Sequence, residues 1–331
     1  MTDAAPLPPL PEDPRVSVIV PALGAPEAVT EAIASALAQD GVFEVVVAAG
    51  DDATHAAAAA ITDARVRVIG NPSGRTPDAL NAAIEASRGQ VIVRLDAHAV
   101  LPPGYVPAAV EALRASGAAN VGGRQVPTAT SGFARAVAAA MRSSVGAGGA
   151  TYRVGGRAGP VDTVYLGVFR REALEAVGGY DPRFTRNQDA ELNLRLTRAR
   201  YTVWFEPSME VAYRPRSSVR ALGSQYLQYG RWRRLTVQTH PGSLAARQLA
   251  PPLLVTVLIL LAIGSLVLGT GLPILLGVTG YAAAVLIAGI VAAPGVHLAP
   301  ATALALGTMH LAWGVGFMLG PPREHDAAEA A

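Results

Sequence analysis

Val91-Ile92-Val93-Arg94-Leu95-Asp96-Ala97-His98 reads as a short apolar strand that ends abruptly in ionisable side chains. Three similar runs precede it. Val16–Val20 is β-branched and stops at Pro21; Phe43–Val47 stops at Gly50-Asp51-Asp52; Val66–Ile69 stops at Gly70-Asn71-Pro72. Between them lie helical patterns over Glu27–Ala38, over an Ala-rich stretch to about Ile61, and from Thr76 to about Ser87, with Thr76 as the expected cap and Pro77 in the first turn. Strand–helix alternation at this spacing predicts an α/β fold, a mostly parallel sheet with helices on its faces. Ligands of such sheets bind beyond the carboxyl ends of the strands.

Working outward, the composition excludes several classes. The chain has 331 residues, 51% hydrophobic and only 16% charged, with a mean hydropathy of +0.32. The 72 residues from Leu249 to Gly320 contain no Asp, Glu, Lys or Arg. That length exceeds what a soluble core needs, and it divides at Thr270-Gly271 and Ala293-Pro294-Gly295 into three segments, each near the length that crosses a bilayer: Leu249–Gly269, Leu272–Ala292 and Val296–Leu319. His297 and His310 in or near these segments are expected as packed or interfacial residues. There is no cysteine and no lysine, so disulfide scaffolds, thiolate metal sites, Cys nucleophiles and Schiff-base chemistry are excluded.

Met1–Pro14 has neither a basic n-region nor an apolar h-region, so no export signal is expected and residues 15–248 are expected in the cytoplasm. Seven arginines and no acid lie between Val211 and Gln248: Arg214, Arg216, Arg220, Arg231, Arg233, Arg234 and Arg247. Such a block marks the cytoplasmic flank of a span and is drawn to anionic headgroups. Three spans then put the tail from Pro321 on the far side, with Arg323 as a weak counter-signal.

Three constellations carry chemistry. Asp96-Ala97-His98 offers a carboxylate and an imidazole at a strand end, a pair able to hold Mg²⁺ or Mn²⁺; the bland alternative is a cap for the segment after Pro102. Asn187-Gln188-Asp189-Ala190-Glu191 opens a helix, with Asp189 in the first turn where the dipole favours a carboxylate. Asp189 is the better candidate base, because Glu191 can instead pair with Arg195 at i,i+4, although taken in isolation Asp189 reads first as a plain acid at a helix N-terminus. Gln228-x-x-Arg231-Trp232 combines a planar phosphate fork with a flat apolar surface suited to a sugar ring, and it also suits an interfacial amphipathic helix.

In this order the three resemble the family 2 glycosyltransferases of the GT-A fold. Asp96-x-His98 stands at that family's D-x-D, Gln188-Asp189 at its E-D, and Gln228-x-x-Arg231-Trp232 at its Q-x-x-R-W. The phrases VIVRLDAHA, VDTVYLGVFRREALEAVGGYDPRF, QYGRWRR, HPGSL and HLAWGVGF are similar to the succinoglycan-type (ExoA-like) exopolysaccharide glycosyltransferases, and the resemblance runs from Val16 to Leu319. The chain departs from the pattern at Pro21-Ala22-Leu23-Gly24-Ala25-Pro26-Glu27, where the family has P-x-x-N-E, and at Ala48-Ala49, where it has a uracil-reading Asp. Asp51 or Asp52 is a guess at a substitute.

The resemblance implies a GT-A domain with a Rossmann-like mixed, mostly parallel sheet over residues 15–212, after a flexible 1–14. A basic interfacial segment over 213–248, three transmembrane helices over 249–320 and a tail over 321–331 follow. It implies inverting transfer from a nucleotide-sugar, UDP-hexose above all, to a lipid-linked saccharide in exopolysaccharide or envelope glycan synthesis. Asp189 is then the catalytic base, and Asp96 and His98 hold Mg²⁺ or Mn²⁺. Donor contacts fall at Pro21, Asp51, Arg75, Asp96, Gln228, Arg231 and Trp232, although Arg75 reads equally as a surface arginine. Tyr165-Leu166-Gly167 would line the acceptor side. The membrane and other polysaccharide-assembly proteins are expected partners, and nucleic acid is not. Rival readings are a polyprenyl-phosphate sugar synthase, a processive polysaccharide synthase, and a catalytically impaired nucleotide-sugar-binding subunit.

Overall fold

The computed structural model describes residues 6–130 and 132–322. Expectations for the first five residues and for the tail beyond Pro322, Arg323 included, lie outside the described residues. In chain order the elements are β1 (Val16–Ala22), α1 (Pro26–Leu37), β2 (Val42–Ala49), α2 (Asp52–Ala59), β3 (Val66–Gly70), α3 (Thr76–Ala86), β4 (Val91–Arg94), α4 (Tyr105–Ser116), β5 (Asn120–Pro127), α5 (Gly132–Arg142), α6 (Ser144–Ala147), α7 (Thr151–Val154), β6 (Gly159–Pro160), β7 (Tyr165–Arg170), α8 (Arg171–Ala176), α9 (Gln188–Arg198), β8 (Val203–Tyr213), α10 (Val219–Thr239), α11 (Ala250–Val267), α12 (Leu272–Ala292) and α13 (Ala299–Leu319). They fall into two compact units. Among the described residues, one runs to Val126 and resumes over Gly155–Ala212; the other comprises Pro127–Val154 and residues 213–322. Residues 127–154 lie within the stretch 15–212 but cluster with the second unit.

The first unit is built on an eight-stranded sheet, ordered β3-β2-β1-β4-β7-β5-β8-β6. β1, β2, β3 and β4 are mutually parallel, and β7 runs antiparallel to both β4 and β5. The parallel strands are mostly apolar, Ser17, Glu44, Arg67 and Arg94 excepted, and one face packs under helices: Val18, Val20, Val45, Val47, Val91 and Val93 are buried in one cluster with Val29, Ile33, Val106 and Leu113 of α1 and α4. Chain order reverses at β1, which has β2 on one side and β4 on the other. A doubly wound sheet opens its ligand crevice at the carboxyl ends of the strands beside such a reversal. β1, β2 and β4 deliver Pro21, Asp51 and Asp96 to that end.

In the second unit, Ala246–Val267, Leu272–Ala292 and Val296–Leu319 are each long and apolar enough to cross a membrane. Along the first two, large apolar side chains such as Leu253, Leu260, Leu266, Leu275, Leu276 and Ile287 are exposed, the pattern expected where lipid replaces water. α13 is more enclosed because it packs closely on α10: a Cβ on Gly230 would stand 2.1 Å from the Trp313 carbonyl oxygen, and one on Gly316 2.1 Å from that of Leu227. Small residues allow this approach of backbones. His310 bridges the Tyr281 hydroxyl (3.1 Å) and the Val145 carbonyl (3.0 Å), a packed role.

Candidate active site

β4 ends at Arg94, one residue earlier than the apolar run suggests, and Asp96-Ala97-His98 leave the strand in a turn closed by the Ala99 N–H on the Asp96 carbonyl (2.9 Å). The i,i+2 strand geometry expected for Asp96 and His98 therefore does not apply. His98 is exposed, whereas Asp96 retains 37% of its side-chain exposure.

Strand parity explains what Asp96 meets instead. Val91, Val93 and Leu95 enter the core shared with α1 and α4. Arg94 has the opposite parity, so its side chain points to the other face. It is 4% exposed, and its guanidinium joins two carboxylates: Nε donates to Asp96 Oδ1 at 2.9 Å, and Nη1 donates to Asp189 Oδ1. Its centre also lies 5.9 Å from the ring of the buried Tyr180. The proposed metal carboxylate and the proposed base, 93 positions apart, are thus held by one cation.

Asp189 reaches this position through the start of α9. Asn187 caps the helix with φ +62°, a left-handed conformation asparagine tolerates, and Asp189 follows in the first turn. Burial pushes its carboxyl above the ordinary value, Arg94 opposes that push without cancelling it, and Asp96 adds to it. A carboxyl so shifted is closer to the working range of a general base. Glu191 is fully buried and pairs with Arg195 (2.7 Å), which also donates to the carbonyls of Val177 (2.6 Å) and Gly179 (2.7 Å). It fastens α9 to the preceding turn and faces no open space.

That turn, Gly178-Gly179-Tyr180, is clamped from α3. Asn81 accepts from the Tyr180 N–H and donates to the Tyr180 carbonyl, both at 2.8 Å. Arg75 donates to the Pro182 carbonyl and lies 4.0 Å from Asp78. Arg75 is also the N-cap of α3, without a side-chain cap bond; Thr76, the expected cap, is the first helical residue. Asn81→Ala is expected to lower the stability of the sheet unit by about 1–3 kcal/mol, because two backbone groups lose their partner. A melting curve unchanged from wild type would refute this.

The nucleotide end is less open than the sequence suggests. Asp51 caps α2: Oδ1 accepts from the Thr54 N–H (2.9 Å) and Oδ2 from the Gly24 N–H (2.7 Å). These bonds lower its pKa. One oxygen is thus committed to capping α2 and the other to pinning the loop after β1, so Asp51 is a structural anchor between the two. Pro21 is half-buried and pairs in register with Ala48. On β7, Leu166 and Gly167 are buried and only Tyr165 is partly open; Leu166 adopts φ +46°, and its carbonyl accepts from Tyr105 Oη (3.1 Å). A left-handed leucine is a strained conformation held by its surroundings.

The remaining motif residues lie on α10, in the second unit. Trp232 is buried, so its ring offers no face for a sugar in this structure. Arg231 Nη2 donates to the Pro321 carbonyl (3.2 Å), and Gln228 Oε1 is enclosed without a hydrogen-bond partner.

Sequence reasoning missed Arg94, Asn81 and Tyr180. For Arg94 a signal existed: a lone arginine inside a four-residue apolar strand is buried only when something pairs with it.

Comparisons with known proteins agree with this geometry. The family described as Glycosyl transferase family 2 matches residues 17–178. The chain is 34% identical over 262 residues to succinoglycan biosynthesis protein ExoA of Rhizobium meliloti (strain 1021), covering 78% of each sequence. It is 41% identical over 109 residues to succinoglycan biosynthesis protein ExoO of the same strain, covering 32% of this chain and 31% of that one. Among solved structures, the mannosyltransferase PcManGT from Pyrobaculum calidifontis, in complex with GDP-Man and Mn²⁺, aligns over 92% of this chain and 89% of its own with a TM-score of 0.56. At 18% identity that likeness concerns the GT-A fold alone. The doubly wound sheet, the carboxylates at its crevice and the extended similarity to ExoA lead to one conclusion: the chain belongs to glycosyltransferase family 2 and is a glycosyltransferase.

Proposed function

We propose that the protein is a membrane-anchored inverting hexosyltransferase that moves one sugar from a nucleotide-sugar, UDP-hexose first among donors, to a lipid-linked saccharide in exopolysaccharide or envelope glycan assembly. The observation that carries this reading is the pairing of Asp96 and Asp189 through the buried Arg94. One carboxylate faces the crevice where a diphosphate would lie, and the other has the raised affinity for a proton that a base needs. Asp189 takes the proton from the acceptor hydroxyl as that oxygen bonds to the anomeric carbon, and the bond to the diphosphate breaks on the opposite side.

Among the described residues no three His, Cys, Asp or Glu side chains converge as a metal cage. Asp96 has one oxygen on Arg94 and leaves the other for a cation, and the family resemblance adds the exposed His98 as a second ligand. That donor set fits Mg²⁺ or Mn²⁺, which keep several waters and take their other ligands from phosphate oxygens. Such an ion would neutralise charge on the leaving diphosphate. Arg75 is assigned to the donor by family resemblance.

The three apolar helices and the arginine block before them support an inner-membrane location with the sheet unit in the cytoplasm. The test is release of nucleoside diphosphate by detergent-purified protein given UDP-, GDP- and dTDP-sugars, lipid extract and Mn²⁺ or Mg²⁺. Release with one donor, dependent on lipid and lost in Asp96→Ala, is expected. Saturable donor binding without release would favour the impaired-subunit reading.

A further inference from the structure

Among the described residues, the second unit contains a cation that no carboxylate of that unit neutralises. Across residues 127–154 and 213–322 there are ten arginines and no Asp or Glu. One of them, Arg153, is half-buried among tyrosine side chains. Its Nη1 donates to Tyr226 Oη (3.1 Å), and its guanidinium centre lies 5.4 Å from the Tyr152 ring and 5.9 Å from the Tyr229 ring. Tyr226 and Tyr229 meet edge to face at 5.4 Å, and Gln225 Nε2 holds the Tyr213 hydroxyl (2.9 Å) at the same cluster. Arg153 Nε is shut off from solvent with no hydrogen-bond partner, and among the described residues Arg153 makes no ion pair.

This arrangement is costly unless something else enters it. A guanidinium partly withdrawn from water, with its Nε shut off, calls for a counter-charge, and phenol rings supply only part of one. The geometry suits an oxyanion: a planar fork with donors to spare, lined by hydroxyls that are themselves donors. Burial pushes the Tyr226 and Tyr229 phenols upward, so both keep their protons at neutral pH. The cluster is carried by α7 and α10, and α10 is locked against the apolar helix α13 at Gly230 and Gly316. An anion held there would therefore be bound by the unit that meets the membrane.

We propose that Arg153, with Tyr226, Tyr229 and Tyr152, forms a binding site for a phosphate or diphosphate group carried on a membrane lipid. This site rests on the reading of a lipid-linked acceptor and deepens it: recognition would fall on the lipid's charged group, apart from the sugar being extended.

The experiment is calorimetric titration of the detergent-purified full chain, without donor, using farnesyl diphosphate, farnesol and inorganic pyrophosphate as probes. Farnesyl diphosphate should bind to wild type and to Asp189→Asn alike. Its affinity should fall at least about tenfold in Arg153→Gln, less in Arg153→Lys, and about two- to fivefold in Tyr226→Phe. Farnesol should not bind, and pyrophosphate should bind more weakly than the lipid diphosphate. Equal affinity in wild type and Arg153→Gln overturns the proposal. Pyrophosphate binding as tight as the lipid's overturns the lipid assignment in favour of a free anion. If Arg153→Gln does not fold, Arg153→Lys and Tyr226→Phe decide, and wild-type affinity in both is a refutation. Because no turnover is measured, the result is independent of whether the donor assay succeeds.

Discussion

Asp189→Asn is expected to lower kcat by about 10²–10⁴-fold, the usual contribution of a positioned general base, while the protein folds normally. Asn is nearly isosteric and still accepts from Arg94, but it cannot take a proton. The same substitution is expected to leave the melting temperature at neutral pH equal to or above that of wild type. The reason is linkage. Burial raises the Asp189 pKa above its ordinary 3.8, so the folded state favours the protonated acid. Above that folded pKa the ionised carboxylate is a burden on the fold, and Asn lacks the burden. The stability difference should shrink as pH falls through the folded pKa, where wild-type Asp189 is itself neutral. In activity, the acid limb of the wild-type pH profile should lie above the range of an ordinary carboxylate. A variant that keeps wild-type kcat would remove Asp189 from the mechanism, as a phosphate acceptor needing no base would predict.

Arg94→Met should be the most damaging substitution in the sheet unit. It leaves Asp96 and Asp189 facing each other with no cation between them. Breaking a buried ion pair costs about 3–5 kcal/mol. Both carboxylates are partly open to solvent, at 37% and 27%, so a loss of about 2–4 kcal/mol is expected here. With the opposing charge gone, the Asp189 pKa should rise further and the acid limb of activity should move to higher pH. Arg94→Lys should restore part of the stability and less of the activity, since an ammonium cannot span both carboxylates as a planar fork does. Thermal melting alongside a pH–activity profile separates these effects. Wild-type behaviour in both would leave the triad without a role.

Much of this molecule was legible before any coordinates. The four parallel strands follow from β-branched runs bounded by Gly, Pro and Asp, because strands buried on both faces must be apolar throughout. The three long helices follow from 72 residues without a charge, because hydrocarbon tolerates few. The positions of Asp96 just past a strand and of Asp189 in the first turn of a helix were legible because local pattern is strong at the ends of regular elements. Glu191 was legible too, through its spacing to Arg195.

What the tertiary structure alone decided are relations between distant parts of the chain. No periodicity states that Arg94 reaches Asp189, that Asn81 clamps Tyr180, or that Asp51 divides its two oxygens between the cap of α2 and the loop after β1. Nor does pattern say that Trp232 is buried, since Trp in a basic helix reads equally as an exposed interfacial residue. Local sequence sets the repeat of each element and hence which face is apolar. Which charged side chains then share that face depends on strand order and on helices returning from far along the chain, and those contacts exist only once the sheet is assembled.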